Sequence, residues 1–244
     1  MSDGRRDVSE LVSRLADDGL DRAQRSRLLV ALGSALGAGA KAAGGRAVVS
    51  GRWLTDVLTE QVAPHLPVRD LLTLREHHGN LSGDELAKDL VKTASRATAA
   101  VGAAAGAITA AELAAPPMLL TAPVLLAAET LVVIAIELKL VAELHVVYRR
   151  SPAGSRSQVA VALLTSWAGR RAVPAAAGPT RPQLTAALST AVRQQIRQRL
   201  VRRVGRNLSS LVPFLAGAVA AAELNRRETT SLGDALIGDL RVRS

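Results

Sequence analysis

An apolar stretch interrupted by prolines does most to limit what this chain can fold into. Ala97–Ala111 carries no charge, and after Glu112 neither does Leu113–Ala128, which contains Pro116, Pro117 and Pro123. Adjacent prolines lack amide donors and their rings crowd the preceding turn, so a helix cannot run through them. The chain is expected to reverse there, pairing the flanking segments as an Ala/Gly-rich helical hairpin over residues 97–148. Its second arm runs from Val124 to Tyr148 and stops at Arg149-Arg150 and Ser151-Pro152, with cations at the negative end of the helix dipole.

Composition agrees with helices. Of all residues 48% are hydrophobic but only 2% are aromatic. The core must therefore be assembled from small and aliphatic side chains, which suits closely spaced helices better than a twisted sheet. No strict apolar/polar alternation appears over a useful length. The expected fold is all-α, a helical bundle around the long hairpin. The absence of cysteine excludes disulfides, thiolate metal sites and Cys nucleophiles. The first residues, Met1-Ser2-Asp3-Gly4-Arg5-Arg6-Asp7, lack a signal-peptide pattern, so a cytoplasmic start is expected.

Elsewhere, Val8, Leu11, Leu15, Leu20, Leu28, Leu29 and Leu32 predict one helix over residues 7–32. The Gly/Ala run from Gly33 to Arg46 is not a phosphate loop, because Lys41 lacks the flanking Gly and Ser/Thr; it reads as helix packing or a linker. Pro64 and Pro67 split residues 53–75 into two short helices, and Glu76–Asp84 is a loop in which Ser82 or Asp84 can cap the next helix. A short helix over 158–168 and a Pro/Ala/Gly linker over 172–182 follow. Leu184, Leu188, Val192, Ile196, Leu200, Val204 and Leu208 then mark a basic amphipathic helix. An Ala-rich segment, Val212–Leu224, and a polar tail close the chain. This divides it into an N-terminal helix and linker (1–49), a helical domain (50–238) and a tail (239–244).

The net charge of +10 is unevenly spread: Leu144–Ala222 contains no Asp or Glu but carries Arg193, Arg197, Arg199, Arg202, Arg203 and Arg206 among its arginines. A field of one sign attracts nucleic acid or an anionic membrane leaflet. Nucleic acid is the weaker reading, since no helix-turn-helix, zinc site or stacking platform accompanies the arginines and Trp53 and Trp167 stand apart. Basic feet on both arms, Lys88/Lys92/Arg96 and Arg149/Arg150, fit a hairpin entering from the cytoplasmic side. Each arm offers roughly 8 residues, or about 12 Å, before a Glu, the depth of one leaflet. Residues 113–128 are therefore expected to project apolar surface, with Pro116, Pro117, Met118, Leu119, Leu120, Val124, Leu125 and Leu126 inserting shallowly. The six arginines would lie against anionic lipid headgroups. The same surfaces also suit a scaffold or adaptor docking on a membrane-protein partner such as a transporter.

Glu129, Lys139 and Glu143 share a face of the second arm and form, with Asn225, a polar seam against neighbouring helices or a solvated stripe. Small residues at four-residue spacing, Gly102/Gly106, Ala103/Ala107 and Gly217/Ala221, serve close packing or self-association. His65, His77, His78 and His145 are the only histidines, and no HExxH or GxSxG motif exists. No catalytic residue, metal or cofactor is expected.

The chain resembles the EcsC family. The resemblance is carried by Ala99-Ala100-Val101-Gly102 with the Ala/Gly run after it, and by Glu129 followed by Glu137-Leu138-Lys139-Leu140-Val141-Ala142-Glu143-Leu144 closing near Tyr148. It is carried further by Val212-Pro213, an Ala/Gly run, and Asn225, Thr229 and Gly233 at four-residue spacing. It covers residues 50–238. Glu129 and Lys139 depart from the family's usual Asp and Arg, Arg149 from its Gly, and Ala216 from a frequent Gly. The resemblance implies a helical, bacterial, membrane-linked protein of a family with no established catalytic residues.

Overall fold

A computed structural model describes residues 3–17, 19–43, 52–114, 122–171, 190, 192–194, 196–198 and 215–242. Among these residues there is no strand, and the fold is all-α. The helices are α1 (Asp3–Leu15), α2 (Arg22–Ala43), α3 (Arg52–Val57), α4 (Leu71–His77), α5 (Gly83–Ala114), α6 (Ala122–Val147), α7 (Arg156–Arg171) and α8 (Leu215–Val242). A π-helical turn, Leu58–Val62, and a 3-10 turn, Ala63–His65, which contains Pro64, continue α3 to a stop before Pro67. The described residues between 190 and 198 are helical as well.

The single helix expected over 7–32 is two helices. The Asp21 carboxylate accepts from the Gln24 amide at 2.8 Å, and the Gln24 side chain accepts from the Asp21 amide at 3.0 Å. This reciprocal capping box starts α2 afresh. Arg25, 2% exposed, folds back to donate to the carbonyls of Leu15 at 3.0 Å and Asp17 at 3.4 Å. Those are groups that the end of α1 leaves without helical partners. The leucine spacing runs across this break and hides it. Residues 33–43 are helix, not linker, and Gly39 makes room for Trp53: a Cβ there would lie 3.4 Å from the indole Nε1. Val8, Val12, Leu15, Leu29, Leu32 and Leu36 join the same core as the rest of the chain.

The centre of the bundle is α6. Every residue from Ala127 to Leu144 is buried, and α1, α2, α5, α7 and α8 all pack against the helix. A helix that is apolar on all sides must be covered on all sides, by lipid or by protein. Here protein covers it, which corrects the expected projecting tip where it can be compared. Leu125 is 5% exposed, Ala127 and Ala128 are buried, and Val124 and Leu126 are half-buried. The helical continuation of α2 supplies part of the cover: a Cβ on Gly37 would lie 3.9 Å from Val124. Pro116, Pro117, Met118, Leu119 and Leu120 lie outside the described residues. Among the described residues no helix is long and apolar enough to cross a membrane.

Along most of their length α5 and α8 pack antiparallel, with Asp84 level with Arg241, Val91 with Gly233, Thr98 with Asn225, Gly102 with Ala221 and Gly106 with Ala218. The pair is close because it is built from small residues. A Cβ on Gly106 would fall 2.6 Å from the Ala218 Cα, and one on Gly102 would fall 2.9 Å from the Ala221 carbonyl. The Gly102/Gly106 face is thus occupied within the chain and is not an open self-association surface. The segment read as a polar tail is the second half of α8, which buries Leu232, Leu236, Ile237 and Leu240 on one face. Its exposed face supplied the polar residues that masked the amphipathic pattern.

Candidate functional site: a buried polar seam

The core holds a set of polar side chains where four helices meet. From α6 come Glu129, 6% exposed, and Glu137, 0% exposed; from α5, Thr98; from α7, Trp167; and from α8, Asn225 and Thr229. Asn225 Nδ2 donates to Glu129 Oε1 at 3.3 Å and to the Thr98 carbonyl at 3.1 Å. The hydroxyls of Thr98 and Thr229 lie 2.9 Å apart, and Thr229 donates to Glu137 Oε1 at 3.1 Å. The Trp167 Nε1–H donates to the other carboxylate oxygen at 2.8 Å. The Thr98 hydroxyl also faces the Ser95 carbonyl at 3.1 Å, so either hydroxyl can be the donor between the two threonines. The result is a continuous chain from Glu129 to Trp167 whose members polarise one another in a dry environment. Such groups are tolerated in a core only when bonded, since each unmade bond costs about 1–3 kcal/mol.

Lys139 and Glu143 face another way. Lys139 Nζ lies 3.9 Å from Glu143 Oε1 and donates at 3.5 Å to the carbonyl of Ala16, just beyond α1. A hollow of about 10 Å³ sits beside them, lined by Ala16, Leu90, Thr93, Ala94, Ile136 and Leu140 as well as the pair. That volume suits one water. It is far below the roughly 300 Å³ of a small-molecule pocket.

The expected seam therefore exists as buried polar groups, divided between two sides of α6. Glu129 and Asn225 meet against α5, while Lys139 and Glu143 meet under the end of α1. The sequence reading left Glu137, Thr98, Thr229 and Trp167 out of the seam. Glu137 carried a signal, a lone carboxylate in an otherwise apolar turn. Its partners come from residues 92 and 30 positions away. The residues that carried the family resemblance on α8, Asn225, Thr229 and Gly233, lie along the contact with α5 and α6.

At the solvent end of the same helices the Asp84 carboxylate accepts from Tyr148 Oη at 2.6 Å and from Arg241 Nε at 2.9 Å. Asp84 thus joins the ends of three helices. The Tyr148 and then the Arg241 hydrogen bonds hold its carboxyl below the ordinary value, against a smaller opposing effect of burial. A lowered folded-state pKa contributes stability that is present above the ordinary carboxylate range and lost as pH falls through the lowered value. Asp84→Asn is expected to shrink the loss of thermal stability between about pH 5 and pH 2, read by melting temperature across that range. Some acid dependence remains in the variant, because Arg226 and Arg227 pull Glu223 down to about 2 in the same manner.

Of the arginine-rich segment, Val192 and Ile196 are buried, at 1% and 0% exposure, while Arg197 and Gln198 are exposed and Arg193 is half-buried. The two described positions of the four-residue apolar spacing are thus buried; Leu184, Leu188, Leu200, Val204 and Leu208 lie outside the described residues. Arg199, Arg202, Arg203 and Arg206 lie outside the described residues. The histidines bond locally: His78 to Asp89 at 2.8 Å, His77 to the Thr73 carbonyl, His65 to that of Gln61, and His145 to that of Val141. Among the described residues no group of His, Asp and Glu has metal-binding geometry. No family model, curated protein or solved structure matches the chain.

Proposed function

We propose that this protein is a non-catalytic helical module of the EcsC type that sits on the cytoplasmic face of a membrane and binds anionic lipid through its arginine-rich segment. The observation that carries the reading is the docking of Val192 and Ile196 into the core with Arg197 facing solvent. A helix fixed by its apolar edge displays its arginines outward, and no acidic residue between Leu144 and Ala222 offsets them. Such a surface gains about 1 kcal/mol per basic residue near an anionic leaflet. Leu125 takes no part, being in the core, and the apolar turn sequence Pro116–Leu120 remains the candidate for shallow insertion. The buried seam supports the frame that presents these elements.

Flotation with vesicles of phosphatidylcholine containing phosphatidylglycerol tests this. The protein is expected to float with the mixed vesicles, to stay behind with phosphatidylcholine alone, and to be released by salt as the Debye length shortens. Arg197→Gln/Arg199→Gln/Arg202→Gln/Arg203→Gln should weaken partitioning by roughly 10²–10³-fold. A folded protein that ignores anionic vesicles overturns the reading. Binding only to vesicles reconstituted with a membrane-protein extract would establish an adaptor instead, and binding only to duplex DNA a nucleic-acid partner.

A further inference from the structure

We infer that the end of the bundle at which α5 stops and α6 starts is the end that meets the anionic membrane, and that Lys41, Arg52 and Trp53 form its contact on the side of α2 and α3. This rests on the lipid reading above and adds to it an orientation and a second contact surface. Helix directions bring the three residues together. Arg25 of α2 and Lys139 of α6 both donate to the end of α1, at the Leu15 and Ala16 carbonyls. Further along α2, Gly37 reaches Val124 near the start of α6. The two helices are therefore antiparallel, and the last turn of α2, with Lys41, arrives where α6 begins. Gly39 has no side chain to keep the Trp53 ring away: an added Cβ would lie 3.4 Å from Nε1 and 3.5 Å from Cζ2. That contact holds the first turn of α3, with Arg52, at the same end.

Lys41 and Arg52 are exposed, and neither is in an ion pair among the described residues. Trp53 is half-buried. An indole with one part packed and one part wet, flanked by basic side chains, matches the chemistry of the membrane–water boundary. α2 contains no acid, and the one acid of α3, Asp56, follows a turn after Arg52. Across the bundle α8 begins at this end as well, since Gly106 of α5 meets Ala218. There it exposes Val219, and it carries no charge before Glu223.

Charge sets this end apart from the other. Leu72 of α4, 71% exposed, is the strongest apolar competitor, and α4 joins the start of α5 through the 2.8 Å bond from His78 to Asp89. Yet Leu72 stands between the exposed acids Asp70 and Glu76, and Asp84 and Glu85 open α5 at that end. Cations are present there too, but interspersed with acids, as Arg241 is bonded to Asp84. Mixed signs cancel over distance, whereas unpaired cations attract an anionic leaflet within a Debye length.

The chain's two tryptophans make the test direct. Trp167 is 0% exposed and bonded to Glu137, so only Trp53 can answer to lipid. With vesicles of phosphatidylcholine and phosphatidylglycerol, Trp53 emission of the full chain should shift to the blue. Replacing part of the phosphatidylcholine by its chain-brominated form should quench it, and Trp53→Phe should abolish both responses. Lys41→Gln/Arg52→Gln should weaken partitioning by about 10–30-fold without lowering the melting temperature. A protein that floats with Trp53 unquenched, or a Lys41→Gln/Arg52→Gln variant that floats as the parent does, overturns the inference and leaves the lipid reading standing. In Trp53→Phe/Leu72→Trp the new tryptophan reports on the other end and must stay unquenched; quenching there reverses the orientation and overturns the inference equally. A parent that does not float with these vesicles overturns both.

Discussion

Glu137→Leu is expected to lower unfolding stability by about 2–5 kcal/mol, because it removes the acceptor for two fully buried donors at once. The Trp167 indole N–H and the Thr229 hydroxyl each point at one carboxylate oxygen, 2.8 and 3.1 Å away, and both residues are 0% exposed. Leucine fills the space but accepts nothing. Glu137→Gln, which keeps one acceptor, should cost less than Glu137→Leu. Adding Trp167→Phe to Glu137→Leu should recover part of the loss, since the partner's unmet donor is then gone as well. Denaturant midpoints at constant slope measure all three. Equal losses for Glu137→Leu and Glu137→Gln would mean that Glu137 contributes by shape, and the polar chain would lose its energetic meaning.

Gly106→Leu is expected to destabilise by about 3 kcal/mol, lowering the melting temperature by roughly 6–12 °C for a chain of this size. The obstacle is backbone: the new Cβ would approach the Ala218 Cα to 2.6 Å, and the Ala218 Cβ to 2.8 Å. Neither can rotate aside, so α5 and α8 would have to separate. Gly169→Ala is the matching control. Gly169 lies in α7 with no atom within 4 Å of an added Cβ, so that change should stabilise by about 0.5–1 kcal/mol through helix propensity alone. If Gly106→Leu melts with the parent protein, α5 and α8 are not held as closely as described.

The two predictions rest on residues of differing legibility. The small-residue spacing of Gly102 and Gly106 was visible in the sequence, and what it packs against was not. Four-residue spacing says that some helix can approach closely, but a second helix of this chain and one of another chain satisfy it alike. Glu137 stood in plain view among apolar residues, yet its role depends on Trp167 and Thr229, which lie on other helices. Sequence spacing within one helix reports only on neighbours three or four residues away.

The hairpin was legible for a stronger reason. Prolines end helices by local chemistry, and the arms expected over Ala97–Ala111 and from Val124 to Tyr148 lie within the observed helices Gly83–Ala114 and Ala122–Val147 and the turn after the second. Its surroundings were another matter. Apolar residues on every side of α6 require cover, and hydrophobicity does not distinguish a bilayer from five packed helices. The cover came in part from residues 33–43, whose glycines read equally as linker, and from the half of α8 whose polar face read as a tail.

Helix content, the two arms of the hairpin and the burial of Val192 and Ile196 beside the exposed Arg197 were determined by local propensity and periodicity, and the sequence alone determined them. Tertiary structure decided which apolar faces are buried, how α5 and α8 are aligned, and which buried acids share partners. Those depend on contacts between residues as far apart as Thr98 and Thr229, 131 positions along the chain. No local pattern encodes such a distance, because the free energy that selects it exists only when the helices meet.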